Sequence, residues 1–145
     1  MHTNVKTIPK TGVAVLSALV LLFSGCTAIQ GPTPEEEVLA MLDAYHAAEL
    51  AKDVSTMIEA FSNDFSNSQG ATKAVLQQFF QGLVDYGALD NLKINMDNAE
   101  VAIDGDTATI KGVSYTSSMG TATYVYTLKK EADGVWRFVN SEVSM

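Results

Sequence analysis

A glutamate on the apolar arc of a helix is the first place to look for acid–base chemistry in this sequence. Val38, Met41, Leu42 and Tyr45 fall on one arc at about 100° per residue, and Glu49 sits in the middle of it. A carboxyl turned toward an apolar interior resists ionisation, so it can hold or take a proton near neutral pH. His46, at the edge of the same arc beside Tyr45, and Asp64, near the end of the next apolar stripe, are the other groups of suitable chemistry. Each has an ordinary alternative, and that alternative is the default. Glu49 lies in the last turn of its helix with Lys52 three residues on as a surface partner. His46 reads as a partly exposed packing residue, and Tyr45 as a core residue with its hydroxyl satisfied. Asp64 precedes Ser66, Asn67 and Ser68, which suits a turn.

Aromatic residues supply the candidate wall of a pocket. Trp136, Phe138, Asn140 and Glu142 share one strand parity, and Val135, Arg137, Val139 and Val143 share the other; Tyr124, Tyr126 and Leu128 share a parity on the preceding strand. One face thus gathers Trp136, Phe138, Tyr124 and Tyr126 with Asn140 farther along, and Tyr45, Phe61 and Phe79 approach from the helices. That set suits a pocket lining and equally the seam between two copies. Arg137, the only arginine, takes the parity opposite to Trp136, which weakens any arginine-dependent hydrolysis. No Ser-His-Asp order, phosphate-binding glycine loop, dinucleotide fingerprint or metal-ligand spacing appears.

The elements that must position these residues are legible in order. Thr33 can cap a helix with Pro34 first and Glu35, Glu36 and Glu37 in its first turn, where negative charge suits the helix dipole. This helix runs to about Lys52. Asp53 caps a second, in which Val54, Met57, Ile58, Phe61 and Phe65 recur at spacings of three and four up to about Asp64. A third spans about Thr72 to Tyr86, its apolar residues sweeping half the circumference, which predicts contact with both the sheet and another helix. Residues 91–97 open a strand. From Ala99 to Ser144, turns at Asp104-Gly105-Asp106, Met119-Gly120 and Asp133-Gly134 divide four antiparallel strands. In the run Thr107–Ser118 the apolar parity changes at Gly112, the pattern of a β-bulge in a bent strand.

The beginning of the chain reads differently. Lys6 and Lys10 precede an apolar run, Gly12 to Phe23, that closes on Phe23-Ser24-Gly25-Cys26. Twelve residues are too few to span a hydrocarbon layer of about 30 Å. The stretch resembles a bacterial lipoprotein signal, which implies cleavage before Cys26, acylation of Cys26 and durable membrane attachment. Thr27 stands where Asp would retain the protein in the inner membrane, so the expected place is the cell envelope, at the outer membrane facing the periplasm where the cell has one. The expected domains are therefore a signal at 1–25, a lipidated tether at 26–34 with Gly31, Pro32 and Pro34, and one folded domain at 35–145.

Removal of residues 1–25 takes away two lysines and leaves 7 basic against 17 acidic side chains, a net charge of −10. That balance argues against nucleic acid and anionic surfaces. With Cys26 committed to the anchor and one histidine left, neither a disulfide nor a thiolate or histidine-cluster metal site can form, and no metal or cofactor is expected.

Three helices followed by a curled meander make an α+β fold, with the helices packed on the concave face of a mainly antiparallel sheet. Tyr45, Lys52-Asp53, Asp64-Phe65, Asp104-Gly105-Asp106-Thr107-Ala108 and Asp133-Gly134-Val135-Trp136-Arg137-Phe138, in this layout, resemble the nuclear transport factor two-like superfamily, closest in style to its SnoaL-like and lumazine-binding-like lipoprotein branches. The resemblance covers about Glu35 to Ser144 and implies a cone-shaped, cystatin-like domain, which dimerises through its outer sheet face in many members. Its enzymes place a carboxylate, often with His, Tyr or Arg, at the bottom of an apolar cone. The first expectation is a membrane-anchored, non-catalytic domain holding a small apolar ligand or an envelope protein partner. The alternatives are a cofactor-free isomerase, dehydratase or cyclase using Glu49, Asp64 or His46, and a structural dimeric envelope subunit.

Overall fold

The computed structural model of the chain describes residues 31–144; the signal stretch, Cys26 and the first part of the tether lie outside them. Helix α1 spans Pro34–Ala51, α2 Val54–Glu59 and α3 Lys73–Asp85, followed by strands β1 Lys93–Asn95, β2 Glu100–Asp104, β3 Thr107–Ser117, β4 Gly120–Lys130 and β5 Trp136–Ser144. The Thr33 side chain accepts from the Glu36 amide while the Glu36 carboxylate accepts from the Thr33 amide, a reciprocal cap that starts α1 where Pro34 fixes the first turn.

All strand pairs are antiparallel, in the order β1-β3-β4-β5, with β2 on the same edge of β3 as β1. Gly112 explains that shared edge. Between β1 and β2 the chain turns at 96–99, and the Asn98 carbonyl oxygen comes so near that a Cβ at position 112 would lie 2.2 Å from it. Gly112 also has φ +80°, in the left-handed region. The β3–β4 register shifts between Lys111 and Val113. Ala108 and Ile110 therefore face inward before the bulge, and Val113 and Tyr115 after it.

One expectation about the helices needs correction, and another is met only in part. The second helix ends at Glu59 rather than near Asp64. The Ala60 carbonyl accepts from the Phe138 amide, the Ser62 amide donates to the Phe138 carbonyl and the Ser66 amide donates to the Val139 carbonyl, so 60–66 lies along β5. The free edge of β5 offers these groups partners that another helical turn would not, and the segment covers that edge. Helix α3 meets another helix, α2, as its wide arc predicts, but part of that arc stays uncovered. Leu76 and Phe80 are buried, but Val75 and Phe79 are half exposed.

The core fills one end of the cone between α1 and the sheet. Val38, Leu42, Ala108, Leu128 and Phe138 are wholly buried there, with Trp136 beside them. Glu37 fastens α1 to this end, because its Oε2 accepts from Trp136 Nε1 at 2.9 Å and from Lys130 Nζ at 2.6 Å.

Candidate functional site

At the other end the cone is open. A cavity of about 570 Å³ runs in from between α3, the β3–β4 hairpin and the end of β5. Val75, Phe79, Met119 and Val143 surround its mouth and are half exposed or more. Phe61, Phe80, Leu76 and Leu83 form the apolar wall, and Tyr45, Glu49, Tyr115, Tyr124 and Tyr126 bring the polar groups. Among the described residues its lining contains two ionisable carboxylates, Glu49 and Glu142, and no lysine, arginine or histidine.

Glu49 arrives by helical spacing alone, seven residues after Leu42 and four after Tyr45. It is 6% exposed, and among the described residues its Oε2 has no hydrogen-bond partner. Lys52 is not its partner. That residue ends α1 in the left-handed conformation, φ 58°, and pairs with Asp90. Burial pushes the Glu49 carboxyl up to about 8; the hydroxyls of Tyr45 and Tyr115 pull it back in part, although neither is hydrogen-bonded to Oε2. The group is thus mostly a neutral acid at pH 7 and becomes a carboxylate just above.

Beside it runs a chain of hydroxyls. Tyr126 donates to the Tyr115 oxygen at 3.0 Å, and the Tyr115 oxygen lies 3.0 Å from His46 Nε2. Burial holds Tyr45, Tyr115 and Tyr126 well above the usual phenol range, so all remain proton donors. His46 is 8% exposed, and burial lowers it to about 4, partly opposed by Asp43. The imidazole is neutral at pH 7.

The structure therefore brings Tyr45, Glu49, Phe61, Phe79, Tyr124 and Tyr126 together on the cavity, and sets five other residues elsewhere. Asp64 is exposed, its backbone amide donating to the Ser62 hydroxyl oxygen in a turn. His46 stands behind the wall, buried against Tyr115 instead of partly exposed. Trp136 and Phe138 fill the closed end. Asn140 is on the opposite face, for a reason strand parity could not show. β5 carries a bulge at Val139, since Leu128 pairs with Phe138 but Thr127 with Asn140. Beyond it Ser141 and Val143 face inward, while the Asn140 amide donates to the Ser66 carbonyl and the Glu142 carboxylate accepts from the Ser68 amide and hydroxyl. Arg137 pairs with Glu131 and Asp133 away from the cavity. Tyr115 was the residue to find from sequence, for it shares the inward parity of Val113 after Gly112. Among the described residues no cluster of His, Cys, Asp and Glu is arranged to hold a metal, and no helix is long and apolar enough to cross a membrane.

No protein-family model matches the chain, and no curated protein matches it in sequence. Solved structures do match in shape. An NTF2-like protein with a cystatin-like fold from Novosphingobium aromaticivorans is 20% identical with a TM-score of 0.59, over 77% of this chain and 80% of that one. A protein of Shewanella frigidimarina assigned provisionally as a ketosteroid isomerase is 18% identical with a TM-score of 0.58, over 72% and 92%. The CaMKII hub of S. rosetta is 20% identical with a TM-score of 0.62, over 79% and 98%. The domain has the NTF2-like, cystatin-like fold, which hosts both a hub and a proposed isomerase; the fold alone does not choose between such functions.

Proposed function

We propose that the domain takes up a small uncharged molecule, mostly apolar with one carbonyl or hydroxyl group, and that Glu49 moves a proton to or from it. The reaction class is a cofactor-free isomerisation, dehydration or cyclisation. The observation that carries this reading is the Glu49 carboxyl, buried at a cavity of several hundred Å³ with Oε2 unpartnered. A filled cone would suit a protein-interaction module, and a cavity without a polar end would suit simple carriage. A buried acid with a pKa near neutrality suits proton transfer, since both of its forms are accessible at working pH. Tyr115 and Tyr45 are the donors beside it. The likeness to a protein assigned as an isomerase agrees with this reading.

Among the described residues the lining offers no cation, which favours an uncharged ligand. An anion brought beside Glu49 would lose its hydration with no counter-charge. The test is fluorescence binding of naphthol and of naphthalenesulfonate, with carboxyl titration by NMR. Naphthol is expected to bind, the sulfonate to bind at least tenfold more weakly, and Glu49 to ionise near pH 8. Equal binding of the sulfonate, or a Glu49 that ionises in the ordinary carboxylate range, overturns the reading.

Lipid attachment at Cys26 in the cell envelope rests on the sequence pattern at 12–26 and belongs to the same proposal. Mass spectrometry of membrane-released protein is expected to show an acylated Cys26 as the first residue; a free thiol within an intact leader would refute it. Self-association through the outer sheet face is supported by the likeness to a hub domain. On that face Ser114 meets Thr123 and Thr116 meets Thr121. Sedimentation that shows only monomer would remove it.

A further inference from the structure

The cavity has an apolar mouth, but its polar end also has a path through the wall. We propose that Glu49, Tyr115 and His46 form a proton relay from the cavity, through β3 and α1, to the outer surface beside Asp43. The proposal rests on the proton-transfer reading of Glu49 and adds how that group exchanges its proton while a ligand closes the mouth.

Three placements carry it. Tyr115 belongs to the cavity lining, whereas His46 does not, so the 3.0 Å contact between them crosses from inside to behind the wall. His46 Nδ1 is not among the buried unpartnered atoms, and the exposed Asp43 acts on the ring from the same helix. The Tyr126 hydroxyl donates to the Tyr115 oxygen and holds it in place, leaving Tyr115 one proton to give either to His46 or toward Glu49. The titratable groups facing this path are Asp43 and Tyr45 from α1, Tyr115 from β3, and Tyr124 and Tyr126 from β4.

The transfer balances without a cofactor. In the inward direction His46 begins with its proton on Nε2, donating to the Tyr115 oxygen; the Glu49 carboxylate, whose Oε2 has no partner at rest, turns on its side chain to accept from the Tyr115 O–H. The Tyr115 proton passes to Glu49, the Nε2 proton passes to Tyr115, and a solvent proton joins Nδ1. Afterwards Glu49 is a neutral acid, and His46 is again neutral, with the proton on Nδ1 and Nε2 accepting from Tyr115. The two histidine tautomers are the before and after states of one transfer. His46 is here a relay residue that acts through Tyr115 and touches no ligand.

The test is nitrogen NMR of the histidine ring in the full domain, wild type and Glu49→Gln, across the pH range in which Glu49 ionises. In wild type the Nε2 signal is expected to move from the unprotonated to the protonated range as Glu49 becomes a carboxylate, at pH about 8. In Glu49→Gln it is expected to stay fixed there. A wild-type tautomer that does not change while the Glu49 carboxyl titrates overturns the relay, as does the same change in both proteins. Should Glu49 ionise in the ordinary carboxylate range, the base proposed above falls, and the relay is judged by the same comparison at that lower pH. Tyr115→Phe, where it folds, is expected to uncouple the ring from Glu49; a simple packing role for His46 would leave its tautomer indifferent to both substitutions.

Discussion

The two ends of the cone are built from the same strands and do opposite things. At the closed end β3, β4 and β5 supply Ala108, Leu128 and Phe138, which meet Val38 and Leu42 of α1 with no exposed surface. At the open end the same strands supply Tyr115, Tyr124, Tyr126 and Val143, and the helix side supplies Glu49 and a half-exposed Phe79. The difference lies in two bulges. Without the one at Gly112, β3 would turn Ser114 and Thr116 inward in place of Val113 and Tyr115. Without the one at Val139, β5 would present Asn140 and Glu142. The bulges thus add Tyr115 to the phenols of β4 at the open end and keep Glu142 at the rim, so that among the described residues Glu49 is the carboxyl held deep enough to resist ionisation.

If that division is real, substitutions at the closed end should cost stability and those at the open end should not. The largest loss is expected for Phe138→Ala, about 3–5 kcal/mol in urea unfolding, because its packing against Tyr45, Phe61 and Tyr126 leaves no room for collapse. A loss below about 1 kcal/mol would mean the end is loosely filled.

Glu49→Gln reverses the sign. A carboxyl raised from 4.5 to about 8 by folding favours the folded state fully below pH 4.5 and loses that contribution as pH rises to 8. The variant should therefore gain on wild type across that window, on the order of 5 kcal/mol at about 1.36 kcal/mol per unit, and hold that gain above it. His46 opposes this in wild type. Its folded value of about 4 lies below its ordinary 6.5, so its contribution is present above 6.5 and fades as pH falls to 4. Wild-type stability governed by these two groups should be nearly flat between pH 4.5 and 6.5 and fall from 6.5 to 8. A variant that tracks wild type at every pH would place Glu49 in solvent.

Trp136→Phe is a smaller probe of the closed end. It keeps the ring and removes the Nε1 donor from Glu37, which retains Lys130, so about 1 kcal/mol is expected in thermal or urea unfolding. A loss as large as that of Phe138→Ala would show that packing of the indole, not its hydrogen bond, holds α1 there.

The sequence is informative about this division to an uneven degree. Element order, the cap at Thr33, the glycine turns and the bulge at Gly112 all depend on neighbours in the chain, and each is readable there. Glu49 is readable too, since helical angle alone turns it inward. Its role is not, because Lys52 three residues on suggests a surface pair, and only the left-handed turn at Lys52 and the distant Asp90 remove that partner. The bulge at Val139 carries no glycine and no break in hydrophobic alternation, so parity carried Asn140 to the wrong face. His46 depends on Tyr115, 69 residues away, and no local pattern signals that pairing. The end of α2 fails likewise, for what stops it is the edge of β5.

The smallest change in stability and the sharpest change in binding should coincide at the mouth. Phe79 keeps half its surface in water, so Phe79→Ser removes little buried area, and the unfolding free energy should shift by less than about 0.5 kcal/mol. The same ring borders the path into the cavity, where an apolar ligand would cover it. Truncation should therefore weaken naphthol binding severalfold while leaving the Glu49 titration near pH 8 unmoved. Because the exposed ring is traded for a smaller polar group, any large loss of stability would mean that Phe79 already packs against something in solution. In that event the open end would be covered in the resting protein, and its contrast with the closed end would disappear.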